Sequence, residues 1–553
     1  MKKIIVLAAV LLLATGGVLV GYPKYKQWKH AHYLAQARQF LAQQDYRNAG
    51  LSARKAMDAN PRSVEACRIM AEIAEAFRSP LAISWRQRVV EFEPGVAKNQ
   101  LDLAKSALLQ GNYEQADKAI RSVDPGAQNT TAYHQLAAVI AVAGKNIAKA
   151  DWHFAQAAKL EPDNKLFQLN RAVLRLQATD QRVVAQAQAT LEQLYQDPAY
   201  RKDALRHLTM AALKDKDFAK AQAFAKELQT DAVTAFDDRL LYLSTLKEGE
   251  SADFAGYLAQ LEESAAKNPD DLYALAAWLL NNQMADESFR WLGTLPAAVQ
   301  AKPPAAIALA DCYAFKRDWP SLQAMLQDKN WGEVEFLRLA HLAHAYREQN
   351  QAISAMSEWR AALKASGERL KPLTTLARMA TGWGWDKERE ELLWLIAQRF
   401  PGERWVFESL SDLCTASGNT RGLQKVYATL LVLNPDDVVA KNNFAALSLL
   451  LNTQTNKAHQ SAREAYGRYP QNAAFASTYA YSLHLLGRTK EGLKLLEGLP
   501  PAKLEEPSIA VYYGVMLAAT DQLEKAKKYV ALAEGGRLLP EERALLAAAK
   551  GER

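Results

Sequence analysis

Across residues 131–163 the apolar positions fall into two runs of helical period. Ala137, Ala138 and Ala141 recur in the first, and Ala150, Phe154 and Ala157 in the second. Gly144-Lys145-Asn146 joins the runs and Pro162 closes the second. Small residues fall where two helices approach, with a bulky ring between them. Gly144 is expected to supply the turn, because glycine reaches backbone geometries that alanine resists. Pro162 stops the second helix and opens the next unit. One such hairpin leaves an apolar face bare, so the pattern predicts neighbours of the same kind.

The order small, bulky, small, closing proline recurs at about one step of a 34-residue period. Ala49, Ala53, Ala56 and Pro61 form one instance, and Ala82, Arg86, Val89 and Pro94 the next. Leu423, Tyr427, Leu430 and Pro435, then Ala458, Ala462, Ala465 and Pro470, repeat it later. Over 334–367 the framework reads Leu342, Ala343, Tyr346, Ala355, Trp359 and Ala362. This succession resembles the tetratricopeptide repeat family over nearly everything after about residue 30. The family's leading Trp is replaced, and its Leu-Gly pair survives only approximately, as in Tyr513-Gly514.

The resemblance implies an all-α fold, a right-handed superhelical solenoid of about fifteen helical hairpins. Hairpins are expected over 30–62, 63–95, 96–126 and 130–163, then a looser unit over 164–200, one over 201–231 and one with a longer linker over 234–269. Short pairs follow over 270–296 and 303–329. Regular units resume at 334–367 and end near Pro401, Pro435, Pro470 and Pro500. Residues 297–304, with Pro303-Pro304, predict a bend between an N-terminal superhelix over 30–296 and a C-terminal one over 305–553. Residues 540–550 read as an amphipathic helix covering the apolar face of the final repeat.

At the N-terminus, Lys2 and Lys3 precede an uncharged apolar run of about 18 residues, 4–21, long enough to span a membrane. Residues 1–29 read as a signal anchor with a juxtamembrane segment. A cleaved secretory signal is the alternative, since Ala14-Thr15-Gly16 offers a small-x-small site. Val18-Leu19-Val20 carries the run past that site and favours the anchor. No Cys follows to carry a lipid. Lys24, Lys26 and Lys29 on the far side balance Lys2 and Lys3, so charge alone does not orient the helix. Tyr22, Tyr25 and Trp28 suit an interfacial belt or a helical lead into the first repeat. The expected location is a bacterial inner membrane, single-pass, with periplasmic repeats; cytoplasmic-facing repeats and secretion after cleavage are the alternatives.

Composition narrows the function. A chain of 553 residues exceeds one ordinary core, a limit that a solenoid escapes by adding neighbours. With 49% hydrophobic and 23% charged residues it is not disordered. A net charge of +7 permits weak attraction to anions. Without a basic run, zinc-finger spacing or recognition-helix motif it does not predict nucleic-acid binding. Cys67, Cys312 and Cys414 are odd in number and far apart, which excludes a disulfide framework or metal spacing. Gly-rich phosphate loops, a Gly-x-Ser-x-Gly elbow and His-Glu-x-x-His are missing. No catalytic, cofactor or metal residues are therefore expected, although a hydrolase or transferase site in the irregular region 234–405, or a purely structural spacer, are competing readings.

The candidate binding residues are His341, His344, Trp383, Trp385 and Trp405. His341 and His344 share a helix face, which in the family register points into the groove. Zinc wants a third protein ligand, and none is identifiable, so a partner contact or a solvated pair remains. Nine of the 12 tryptophans lie between Trp278 and Trp405, and such rings anchor partners efficiently. Trp359, on the framework, is expected in the core. Trp383 and Trp385, beside glycines at a turn, are expected to be exposed. Projected groove pairs are Leu34 and Arg38, Cys67 and Ala71, Leu101 and Lys105, and Gln135 and Val139. No Lys-Asn pair repeats, which argues against a carboxylate clamp. The mixed, rather apolar groove suits an amphipathic helix or extended segment of another protein. The reading is a membrane-tethered scaffold that binds protein or peptide segments; the resemblance implies envelope assembly, secretion or polysaccharide export.

Overall fold

The computed structural model describes residues 2–77, 79, 81–230, 234–367 and 369–551, without the side chains of 2–21 and Glu114. Every regular element among the described residues is helical. The side chains of the expected anchor over 4–21 lie outside the described residues, and among the described residues no helix is long and apolar enough to cross a membrane.

The chain divides into two compact units, Met1–Gly367 and Glu368–Arg553. In the first, helices pair as α1 (Lys2–Ala42) with α2 (Tyr46–Ala59), α3 (Val64–Ala76) with α4 (Leu81–Phe92), and α5 (Ala97–Leu109) with α6 (Tyr113–Arg121). Then come α7 (Thr131–Ala143) with α8 (Ile147–Leu160), α9 (Lys165–Arg175) with α10 (Gln181–Leu194), and α11 (Arg201–Lys214) with α12 (Phe218–Leu228). Next are α13 (Phe236–Glu248) with α14 (Phe254–Ala265) and α15 (Pro269–Asn281) with α16 (Ala285–Gly293). A short α17 (Ala297–Gln300) precedes α18 (Ala305–Phe315) with α19 (Trp319–Leu326), and α20 (Glu335–Glu348) with α21 (Ala352–Ser366) ends the unit. The second unit holds α22 (Leu370–Gly382) with α23 (Asp386–Arg399), α24 (Arg404–Ser417) with α25 (Thr420–Leu433), and α26 (Val438–Leu450) with α27 (Thr455–Arg468). It continues with α28 (Ala473–Leu485) and α29 (Thr489–Glu497), a short α30 (Pro501–Leu504), α31 (Pro507–Ala518) with α32 (Leu523–Glu534), and α33 (Pro540–Lys550).

These are fifteen hairpins among the described residues, as the proline-closed pattern leads one to expect. In the hairpin of α7 and α8, Ala137, Ala138, Ala150, Phe154 and Ala157 are all buried. The turn chemistry differs from expectation. Gly144 has an ordinary φ of −80°, and the left-handed residue is Lys145, with φ 56°. Thirteen of the hairpin turns place at least one residue there, among them Gln44, Lys216, Asn350, Gly384 and Gly418. The next residue then donates its N–H to a carbonyl five back: Asn146 to Ala141 at 2.8 Å, Asp217 to Ala212 at 2.9 Å. That bond closes the first helix. In Asp45, Asn112, Asn146, Asp217 and Asn419 the same residue caps the second helix with its side chain. The turn thus depends on this pair of bonds more than on glycine.

Arg86 stands where other hairpins put a bulky apolar residue, yet it is buried. Its guanidinium donates to the Glu75 carboxylate at 2.9 and 3.0 Å and lies 3.5 Å from Asp102 on α5. Pairing is what makes a buried charge tolerable. Similar contacts tie one repeat to the next at matching positions: His30 to Ser63, Lys149 to Asp117, Arg206 to Asp238 and Trp278 to Ser244.

Residues 297–304, the expected bend, lie inside the first unit, and α18 beyond them packs on α15 and α16. The division comes instead after Gly367, whose φ of 61° and ψ of −154° belong to glycine's own backbone range.

Within each unit successive first helices touch, as α5 with α7, α15 with α18, α18 with α20, and α28 with α31. Successive second helices are joined by side-chain ion pairs such as Lys149 to Asp117, but among the described residues their backbones do not approach as closely. First helices therefore crowd to the inside of the stack. With neighbours on every other side, the one stripe such a helix leaves open is the inner face.

Candidate functional site

In the first unit that stripe is mixed. On α7 it carries Gln135, Val139 and Val142, and on α11 Asp203, Met210 and Lys214, all exposed. Met210 keeps 57% of its surface in solvent. Beside it a cleft of about 440 Å³ opens between α9, α10 and α11, lined by Val173, Leu176, Val184 and Met210 with His207 and Lys214. Burial lowers the His207 imidazole from its ordinary range. On α3 Glu72 is exposed, with Glu65 and Arg68 half-buried. Cys67 and Ala71, projected into the groove from sequence, are buried instead. Helix α3 packs against α1, α2 and α4, and Cys67 and Ala71 fall on its packed side.

Farther along, three successive first helices bring together residues that the sequence separates widely. The Tyr273 hydroxyl on α15 donates to Asp311 Oδ2 on α18 at 3.3 Å. Asp311 Oδ1 lies 3.5 Å from His341 Nε2 on α20. Asp311 keeps 29% of its side chain open, yet desolvation by the surrounding helices pushes its carboxyl up to about 7. Burial, then the neighbouring His344, brings His341 down to about 3. Both shifts disfavour the charged forms, so the line offers neighbouring hydrogen-bond donors and acceptors.

His341 and His344 share a helix face, as expected, but neither lies open on the groove. They are 4% and 8% exposed, in a stretch of α20 buried from Arg338 to Ala345. His344 packs its ring on Trp319, centroids 4.8 Å apart, with Glu348 at 3.8 Å. Burial takes it down to about 4. The line has no activated nucleophile. Cys312 next to Asp311 is buried, hydrogen-bonded to Ser288 Oγ at 3.3 Å, and burial pushes its thiol up to about 11. Among the described residues no three His, Cys, Asp or Glu side chains gather as a metal would require.

The tryptophans of the second unit divide. Trp385, expected to be exposed, is 4% exposed. Gly384 takes φ 69° and the Trp385 N–H bonds back to Ala380 O at 2.8 Å. This fixes residue 385 at the start of α23 and turns its ring in against Trp383, centroids 5.0 Å apart. Trp383 is half-buried. Trp405 is also half-buried and donates its indole N–H to Glu403 at 2.8 Å. In the first unit Trp359 is buried, as its framework position predicts.

Sequence reasoning missed Tyr273, Asp311 and Met210. Met210 had a signal, an apolar side chain on the polar stripe of α11. The meeting of Tyr273, Asp311 and His341 had none, because it depends on contacts between helices some thirty residues apart.

The fold and this inner face define a tandem repeat of helical hairpins whose first helices line a recessed, mixed apolar and charged surface. No protein-family model matches the sequence and no curated protein matches it either. Among solved structures the chain is similar to Pseudomonas aeruginosa pilF, with 17% identity and a TM-score of 0.32, covering 40% of this chain and 99% of that one. It is similar to Naa15/Naa10 bound to HypK-THB, with 13% identity and a TM-score of 0.37 over 98% of this chain and 93% of that one. It is also similar to the APC/C hetero-tetramer Cut9-Hcn1, with 12% identity and a TM-score of 0.27 over 92% and 99%. The repeat architecture rests on the helix pairing and not on these likenesses.

Proposed function

We propose that the chain is a tetratricopeptide-like docking scaffold that acts by binding alone. It holds an amphipathic helix or extended segment of another protein along the inner face of its first unit. The observation that carries this reading is the open apolar stripe of Val139, Val142 and Met210 on inner helices whose other faces are packed. Large apolar groups on a recessed surface with charged neighbours suit a partner's apolar side chains. The uncharged run 4–21 behind Lys2 and Lys3 supports tethering to a bacterial inner membrane with the repeats in the periplasm. A scaffold there serves envelope assembly, secretion or polysaccharide export.

A photo-crosslinking residue placed at Met210 in the full chain tests the docking face, with Ile353, exposed on second helix α21, as the control. The expected result is a discrete protein adduct at 210 and none at 353. Equal labelling at both, or none at either, overturns it. A reporter fused after Arg553 scores export directly, and activity confined to the cytoplasm overturns the periplasmic placement.

A further inference from the structure

In the second unit the chain's own C-terminal segment sits across the inner face. Helix α33 packs on α31, as a terminal cover does. Its start, however, reaches back to the hairpin of α24 and α25. Leu539 packs into the cluster of Cys414, Leu423, Tyr427 and Leu447. Pro540 lies against Gly418, where an added Cβ would come 3.2 Å from Pro540 Cγ. The Thr420 hydroxyl donates to Glu541, and the buried Tyr512 hydroxyl of α31 donates to Glu542 Oε1 at 2.8 Å. Glu542 also accepts the Leu539 N–H at 2.9 Å. Leu538 and Leu546 join the core cluster that contains Leu449 of α26, Tyr481 of α28 and Tyr512 of α31. The recognised features are an aliphatic residue, a proline and two acids opening a helix, each met by its own partner.

We infer that the inner face of the second unit is a docking site for a protein segment of this chemistry, an aliphatic residue followed by proline and paired acids at the start of an amphipathic helix, and that residues 537–550 occupy it until such a partner displaces them. A second copy is the weaker occupant. Exchanging identical segments gains no contact and costs association entropy, whereas a foreign segment can extend beyond Leu538. The inference rests on the reading of the chain as a scaffold, but its test needs no outside partner and is read on the other unit.

The probe is a labelled peptide of residues 537–550 added to the full chain. Tethered behind Gly535 and Gly536, the resident segment competes at an effective concentration of the order of millimolar. Wild type is therefore expected to bind the peptide at least ~10-fold more weakly than Leu539→Asp, whose own segment is unseated. Adding Thr420→Val and Tyr512→Phe to Leu539→Asp is expected to abolish the gain. If Leu539→Asp loses its cooperative melt, Glu541→Ala with Glu542→Ala provides the same comparison by removing the half-buried carboxylates that accept from Thr420 and Tyr512. A folded release variant that binds no better than wild type overturns the inference. So does dimerisation of wild type through exchanged segments, which would assign the face to a second copy.

Discussion

Helices α11 and α31 occupy equivalent places, each the first member of its hairpin, and meet solvent in opposite ways. Helix α11 buries Ala204, Leu205, Leu208, Thr209, Ala211 and Ala212, and leaves Met210 open between charged residues. Helix α31 buries every residue from Ile509 to Leu517. Its sequence, PSIAVYYGVMLA, has no charge anywhere. A helix apolar on all sides must be covered on all sides, and α33 covers the side that α11 leaves bare. One inner face is built to receive something, and the other has already received it.

The strongest way to break the contrast is to unseat the cover. Leu546→Asp puts a carboxylate into a site that is 2% exposed and should cost about 4 kcal/mol. Calorimetry of the full chain should show the transition of the second unit falling while that of the first stays; equal shifts in both would break the comparison.

Acid sharpens it from the other side. In the first unit His153 is buried, its Nδ1 3.0 Å from that of His134, and burial with that neighbour takes it down to about 4. The native state refuses a proton that the unfolded chain accepts below about pH 6.5. This contribution is complete above that pH and is lost as pH falls toward 4. At pH 5 the loss is about 2 kcal/mol. His341 and His344 act in the same direction. Asp311, pushed up to about 7, opposes them, since its folded form gains the proton first and its stabilisation fades as pH rises from about 4 to 7. The balance favours acid loosening the first unit, and His153→Gln should flatten the dependence of Tm on pH between 7 and 5.

A smaller effect is expected from Asp238→Ala. It removes the two-pronged contact from Arg206 of α11 to α13, at 2.6 and 2.9 Å. Because Arg206 remains 38% exposed, urea unfolding should show a loss of about 1–2 kcal/mol, below that of a fully buried pair. Smallest of all is Met210→Glu, which should leave stability within about 0.5 kcal/mol while abolishing the adduct formed by a photo-crosslinking residue placed instead at Val139 on that face.

The hairpins were legible because helix pairing is local. Ala150, Phe154 and Ala157 announce it within two turns, and a proline after many pairs, as at Pro61, Pro162 and Pro435, marks the end. The amphipathic character of residues 540–550 was legible for the same reason. What could not be read depends on approach between distant helices. Trp385 looked exposed beside its glycines, yet the bond to Ala380 turns it inward. Cys67 and Ala71 looked like groove residues, but the packing of α3 on α1, α2 and α4 buries them. The approach of Asp311 to His341, and the reach of Leu539 to Cys414, follow from how the helices stack, which no window of sequence contains.

The Thr420–Glu541 contact links positions 121 residues apart, whereas a pair such as Arg206 and Asp238 spans 32. A row of modules held only by adjacent partners frays inward from its loose end. Fastening the last helix to an early hairpin abolishes that loose end, so the second unit should yield as one block. Tension applied at the C-terminus would have to peel off residues 538–550 before any hairpin could unzip, which makes that short strip the mechanical latch of its half of the molecule.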